Sequence, residues 1–222
     1  MEMIIEADVD VWCDCLSTVM PKKYELVYFD GRGRGENSRL LFTVAGVSFT
    51  DTRVTVEDWP KLKPETPQGT LPYLVIDGKL KLGQSLAIAR YLAREFKLYG
   101  EDKLQMAFVD ELLEISVDLG AQYEKAFFAQ DEAQKPELIR KFKEEQIPKY
   151  FRLLNEGIAA RGKNGFAVGS NLTLADLAIY NITESSGLES IGDYSFLKAN
   201  RDKIEQVDSI AKYLNTRPIT PF

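Results

Sequence analysis

The sequence predicts an α/β domain joined to an all-helical domain. Three observations carry that prediction: strand-like and helical runs alternate up to about residue 96, a hairpin signal lies within that stretch, and helical periodicity takes over from about residue 103.

Tyr24–Phe29 is a strand-like run, and Glu36–Ala45 reads as a helix closed by Gly46. Val47–Val56 contains β-branched residues suited to a second strand, giving a β-α-β unit. Leu71–Ile76 and Lys79–Leu82 flank Asp77-Gly78, the kind of dipeptide that two-residue hairpin loops favour. A helix over about Ser85–Phe96 completes a β-α-β-β-α order, which is the thioredoxin-like arrangement. Gly31, Gly33 and Gly35 do not have the G-x-G-x-x-G spacing of a dinucleotide fingerprint.

Beyond Lys97–Gly100, Phe108, Leu112, Ile115, Leu119, Tyr123 and Phe127 recur every three or four residues and predict one long amphipathic helix. Pro136 suits the first turn of the next helix, and Pro148 is expected to kink or divide it. Thr173-Leu174-Ala175-Asp176 has the form of a capping box, with Leu172 and Leu177 placed as a hydrophobic staple; its expected role is structural. The expected domains are residues 21–98 and 103–222, with residues 1–20 a disordered extension.

The chain has 222 residues, 45% hydrophobic and 28% charged, enough to bury a sizeable core in one or two domains. No apolar run reaches the roughly 18 residues of a membrane span. A net charge of −6 without basic clusters argues against a nucleic-acid partner. Histidine is absent, so Ser-His-Asp and Cys-His nucleophile systems, His-ligated zinc and His acid–base catalysis are excluded. The two cysteines, Cys13 and Cys15, are too close for an ordinary disulfide in an extended segment, and a reducing, cytoplasmic location is the expectation. The acidic start makes a poor secretory signal, so the sequons at Asn171 and Asn181 are not expected to be used.

Three separated pieces carry a family resemblance: Tyr28-Phe29-Asp30-Gly31-Arg32-Gly33-Arg34, then Leu71-Pro72, then the run Gln84-Ser85 through Leu92. With Asp58-Trp59-Pro60, Lys63-Pro64 and the ending Asn215-Thr216-Arg217-Pro218, the chain resembles cytosolic glutathione transferases. Tyr-Phe-x-x-Arg-Gly-Arg is similar to the sigma class, and the ending resembles helminth members. The resemblance spans residues 24–222 and implies the glutathione transferase fold, with glutathione as co-substrate and no metal required.

It also implies site residues. Tyr28 and Arg34 are the expected catalytic pair, the phenol donating a hydrogen bond to the glutathione sulfur and the guanidinium adding a cationic field. From strand propensity alone Tyr28 is a core aromatic; the Phe-x-x-Arg-Gly-Arg context reverses that preference. Gly69, Thr70, Leu71 and Pro72 would receive the cysteinyl backbone beside a cis Leu71–Pro72 bond, a trans edge-strand proline being the alternative. Gln84 and Ser85 would hold the γ-glutamyl carboxylate at a helix start, where Ser85 is equally suited to be an N-cap. Trp59 and Lys63 resemble the contacts to the glycyl end. Gly35 in place of the usual alanine and the atypical Asn37 are departures, Gly35 being a weak helix former.

Asp110, Glu114 and Asp118 form an acidic stripe at four-residue spacing, and Arg90 with Arg94 a cationic one. The family is dimeric, and the stripes are expected to meet across a two-fold axis in a homodimer, with Asp118 reaching the glutathione held by the partner chain. The activity implied is conjugation of the glutathione thiolate to small hydrophobic electrophiles, with prostaglandin isomerase or peroxidase activity open; the pocket is expected near Gly120, Tyr123 and Phe127. The alternative is a catalytically weak S-crystallin-like structural protein. A disulfide oxidoreductase would need a cysteine where Asp30-Gly31-Arg32 stands.

Overall fold

Burial along β1 (Tyr24–Phe29) takes in both faces, with Tyr24, Leu26, Val27 and Tyr28 all below one tenth exposure, as expected of a strand packed on both sides. This computed structural model describes residues 22–187 and 191–220; the expectations placed on residues 1–20, Cys13 and Cys15 included, lie outside the described residues. Helix α1 (Glu36–Ala45) follows a short 3₁₀ turn at Gly33–Gly35 and ends on Gly46 in the left-handed region (φ 63°). The second strand, β2 (Thr50–Val54), is shorter than its β-branched run. Val47 is drawn into the helix terminus, its N–H bonding Phe42 O at 3.1 Å, and Asp58 N–H turns back onto the Thr55 hydroxyl at 3.1 Å.

A short helix α2 (Trp59–Leu62) and two 3₁₀ turns lead to β3 (Tyr73–Ile76) and β4 (Leu80–Gly83). Asp77 and Gly78 join them with φ of 53° and 67°, the left-handed pair a tight hairpin requires. The sheet order is β2-β1-β3-β4: β1 and β2 are parallel, with Tyr28 opposite Arg53, while β1–β3 and β3–β4 are antiparallel. Helix α3 (Ser85–Glu95) completes the thioredoxin-like order.

Asp102 caps α4 (Lys103–Phe127), its carboxylate accepting from the N–H groups of Leu104 and Gln105. Pro136 lies in the first turn of α5 (Lys135–Lys141). A π turn at Phe142–Gln146 then leads into α6 (Ile147–Arg161). Pro148 has no N–H to offer Glu144, and the preceding turn widens so that Ile147 N–H bonds Phe142 O. The proline therefore divides the helical run through a wide turn rather than a break. Helices α7 (Leu174–Ser186), α8 (Ser195–Glu205) and α9 (Asp208–Thr216) follow.

The capping box forms as expected. Asp176 is fully buried and accepts from Thr173 N–H, the Thr173 hydroxyl, Ala167 N–H and Asn200. Helices α4 and α7 form the centre of the helical domain through Leu112, Leu113, Leu119, Leu174 and Leu177, all without exposure, each worth about 1.5–3 kcal/mol of burial. Leu174 N–H bonds Leu98 O at 2.8 Å, tying α7 to the end of the α/β domain.

The charged stripes differ from expectation. Arg90 forks onto Asp110, at 2.7 Å, and Glu114 of its own chain, while Arg94 lies 4.5 Å from the Tyr99 ring centre. A guanidinium on α3 reaches α4 directly, so much of the acidic stripe is compensated within one chain. Asp118 is exposed on α4.

Candidate functional site

Tyr28 stands near the end of β1, and the turn that follows folds back over its ring. An ideal Cβ on Gly33 would sit 2.7 Å from the Tyr28 oxygen, and one on Gly35 would sit 2.7 Å from Cδ1. No side chain fits at either position while the ring keeps its place. That close approach accounts for Gly35 better than helix propensity does. Gly33 also takes a positive φ of 34°.

The turn aims the N–H of Arg34 at the Tyr28 oxygen, 3.1 Å away. Burial pushes the Tyr28 phenol up, while that N–H and the cationic groups of Arg34 and Arg39 pull it down; the balance lies above the ordinary phenol value. Tyr28 thus keeps its proton at neutral pH and can donate it in a hydrogen bond. The guanidinium of Arg34 points elsewhere. It forks onto Glu124 of α4, with Nε–Oε1 2.8 Å and Nη2–Oε2 2.5 Å, so its charge is engaged across the cleft.

The cleft has a volume of about 340 Å³ and lies between the two domains. Tyr28, Arg34, Gln84 and Ser85 line it together. Gln84 has φ 70°, a strained conformation for a residue other than glycine, and it presents Ser85 as the first residue of α3, where main-chain N–H groups lack helical partners. The remaining expected contacts lie on the segment between β2 and β3 and do not line the cleft. Trp59 packs edge-on against Phe29 at 5.5 Å, which in turn lies 5.8 Å from the Tyr28 ring. Lys63 runs past Gly69, its Cε 3.7 Å from an ideal Cβ there, and the Thr70 hydroxyl faces Pro67 O at 3.5 Å. The Leu71–Pro72 bond is cis, as the resemblance implies, and Leu71 precedes the β3 ladder, which begins at Tyr73. Asp118 follows the lining residue Val117 but is not itself part of the lining.

Gly120 and Tyr123 line the cleft as expected; Phe127 does not. It stacks on Tyr123 at 4.5 Å and meets Phe142 edge-on at 5.8 Å, behind the wall. Sequence reasoning missed Glu124 and the α7 face. Asn181 of α7 is half-buried, and its Nδ2 donates to Asn37 Oδ1 at 3.2 Å across the domain boundary. This asparagine belongs to a sequon match, which drew attention to its motif rather than to its place on a cleft-facing helix. Among the described residues no group of three or more acidic, Cys or His side chains is arranged to hold a metal ion. No helix there is long and apolar enough to cross a membrane.

Known proteins resemble this chain in both of its domains. Residues 24–94 match the family described as Glutathione S-transferase, N-terminal domain, and residues 117–217 match Glutathione S-transferase, C-terminal domain. The chain is 41% identical to Probable glutathione S-transferase 5 of Caenorhabditis elegans, over 90% of this chain and 99% of the relative. It is 34% identical to S-crystallin SL11 of Nototodarus sloanii, over 90% and 98%. The solved prostaglandin synthase D of Nilaparvata lugens superposes with a TM-score of 0.81 at 32% identity, covering 89% of this chain and 99% of that one. Matched in both domains and along nearly all of its relatives' length, the chain belongs to the glutathione S-transferase family.

Proposed function

We propose that this chain binds glutathione with its sulfur at Tyr28, holds that sulfur as a thiolate, and delivers it to a small hydrophobic electrophile in the interdomain cleft. One observation carries the reading: a buried, protonated phenol accepts the Arg34 N–H and faces a cleft whose rim is the open start of α3. A free thiol near pKa 8.5 is only a few per cent ionised at pH 7, and each unit of depression takes about 1.4 kcal/mol of preference for the anion. The Tyr28 hydroxyl supplies such preference because its hydrogen bond strengthens as charge gathers on sulfur. The thiol proton leaves to solvent; sulfur then bonds to the electrophilic carbon, and a leaving group or an electron pair of the acceptor takes up the displaced charge.

Gln84 and Ser85 would receive the γ-glutamyl carboxylate, Trp59 and Lys63 the glycyl end, and Gly69 to Pro72 the peptide backbone between them. Asp118 would act on the glutathione of a partner in a homodimer of the sigma class. A cytoplasmic location follows from the reducing chemistry glutathione requires. The prostaglandin synthase D relative supports a lipid acceptor as one substrate class for a cleft of this size. The S-crystallin relative raises a structural role, but an open cleft with Tyr28, Arg34, Gln84 and Ser85 all on its lining favours the enzyme.

The test is an ultraviolet difference titration of bound glutathione in wild type and Tyr28→Phe. Wild type is expected to carry thiolate at neutral pH, and the variant's titration to move upward by at least about one pH unit, from loss of one charge-assisted donor. An unchanged titration removes Tyr28 from the role.

A further inference from the structure

Arg217 is not on the cleft lining, yet it is tied to the turn that follows Tyr28. An alternating chain of charges starts at Asp30 and ends at Arg32, two residues of the same turn. Asp30 pairs with Arg53 at 2.9 Å, Arg53 with Asp51 at 2.9 Å, and Asp51 with Arg39 at 3.1 Å. Arg39 then meets Glu36 at 3.2 Å, Glu36 meets Arg217 at 3.0 Å, Arg217 meets Glu184 at 2.6 Å, and Glu184 meets Arg32 at 3.2 Å. Arg39 also donates to Gly31 O at 2.6 Å and lies 5.9 Å from the Tyr28 ring centre. The belt thus encircles the turn that carries the Arg34 N–H.

Its innermost members are almost fully shielded from water. Glu36 and Arg39 are each 1% exposed, and Glu36 takes a further hydrogen bond from the Tyr213 hydroxyl at 3.0 Å. Glu36 directly follows Gly35, on which the Tyr28 ring rests. Arg217 is the bridge between Glu36 on α1 and Glu184 on α7, one nitrogen to each carboxylate. Without it Glu36 keeps only Arg39 and Glu184 only Arg32 as cationic partners, and the first turn of α1 loses its ion-pair bridge to α7.

We infer that Arg217 is a positioning residue for Tyr28: by bridging Glu36 and Glu184 it holds the turn at residues 30–36 so that the Arg34 N–H stays on the phenolic oxygen. The inference rests on the reading of Tyr28 as the thiol's hydrogen-bond donor for its catalytic meaning, but not for its test. The Tyr28 phenol is titrated by NMR in ligand-free protein carrying isotopically labelled tyrosine, with the resonance assigned by its loss in Tyr28→Phe.

In Arg217→Gln the phenol is expected to titrate higher by about half a pH unit or more, a roughly threefold change in ionisation, because the turn no longer holds its donor in place. With glutathione and an aryl halide acceptor, kcat is expected to fall several-fold with KM for glutathione nearly unchanged. Arg217→Lys keeps the charge but cannot reach both carboxylates with a planar fork, so it is expected to retain at least half of the phenol shift, and it carries the test if the Gln variant does not fold. A folded Gln variant with unchanged phenol titration overturns the inference whatever happens to its Tm. So does a Lys variant that titrates as wild type, since charge alone would then account for the effect. Because the phenol is read without glutathione, this result stands apart from the thiolate titration that tests the role of Tyr28 itself.

Discussion

The main-chain N–H of Arg34 donates to the phenolic oxygen of Tyr28 over 3.1 Å, while the guanidinium of the same arginine crosses the cleft to Glu124. One residue therefore serves Tyr28 through its backbone and the opposite domain through its side chain.

Glu124 places a negative charge on the wall of the cleft in which the proposed thiolate would form, and it neutralises the nearby cation. Glu124→Gln removes an anion and frees Arg34, so the bound thiol should titrate lower by a few tenths of a pH unit, more at low ionic strength. Both partners are substantially exposed, and the loss of stability should stay within about 1 kcal/mol. A thiol that titrates higher in this variant would show that Arg34 needs Glu124 to be useful.

Gly35→Ala tests the seat of the ring. The backbone there is ordinary, φ −84°, so alanine meets no conformational penalty and gains helix propensity. Its Cβ, however, would meet Tyr28 Cδ1 at 2.7 Å, a clash of the kind that costs about 1–3 kcal/mol when a core is overfilled. Turnover should fall several-fold, with the near-ultraviolet circular dichroism of Tyr28 altered. Unchanged turnover with a higher Tm would mean that the ring yields freely.

Alkaline pH should act on stability through Tyr28. Its folded phenol titrates above the ordinary value of 10.0, so the folded state holds the proton more tightly than the unfolded chain. That contribution is complete below about pH 10 and disappears as the pH rises through the folded value. The Tm of wild type should therefore fall more steeply than that of Tyr28→Phe above about pH 10, where the other tyrosines affect both alike. Parallel curves would count against a shielded phenol.

Asp176→Ala should be severe. It strands the N–H groups of Ala167 and Thr173 and one donor of Asn200 in a fully buried place. Loss of a cap and several orphaned donors should cost about 3 kcal/mol or more, read by chemical denaturation, with glutathione affinity retained below the transition.

Local chemistry made much of the fold legible. Asp77-Gly78 dictates its hairpin from two residues, and Thr173 with Asp176 dictates the start of α7 from four, because both partners lie within one turn of chain. The cleft was legible at Tyr28, Arg34, Gln84 and Ser85, where motifs carry it, and at Gly120 and Tyr123 on the periodic helix α4. Its far wall depends on which face of α7 meets α4, and Asn181 reads in sequence only as a sequon because its partner Asn37 is 144 residues away. Spacing along α3 carries no information about how near α4 lies, so the sequence alone points Arg90 at a partner chain, whereas its own chain supplies carboxylates. The pairing of Glu36 with Arg217, at a separation of 181 residues, had no local signal at all.

The widened turn before Pro148 sets an angular phase for everything upstream of it. Each residue advances a helix by roughly 100°, so the surplus residue in Phe142–Gln146 rotates Phe142 relative to α6 and brings it edge-on to Tyr123 and Phe127. Excising one residue from that stretch would restore regular winding and swing Phe142 out of its aromatic nest, leaving the cleft wall at Tyr123 without backing. A proline outside the cleft thereby governs how firmly one of its sides is braced.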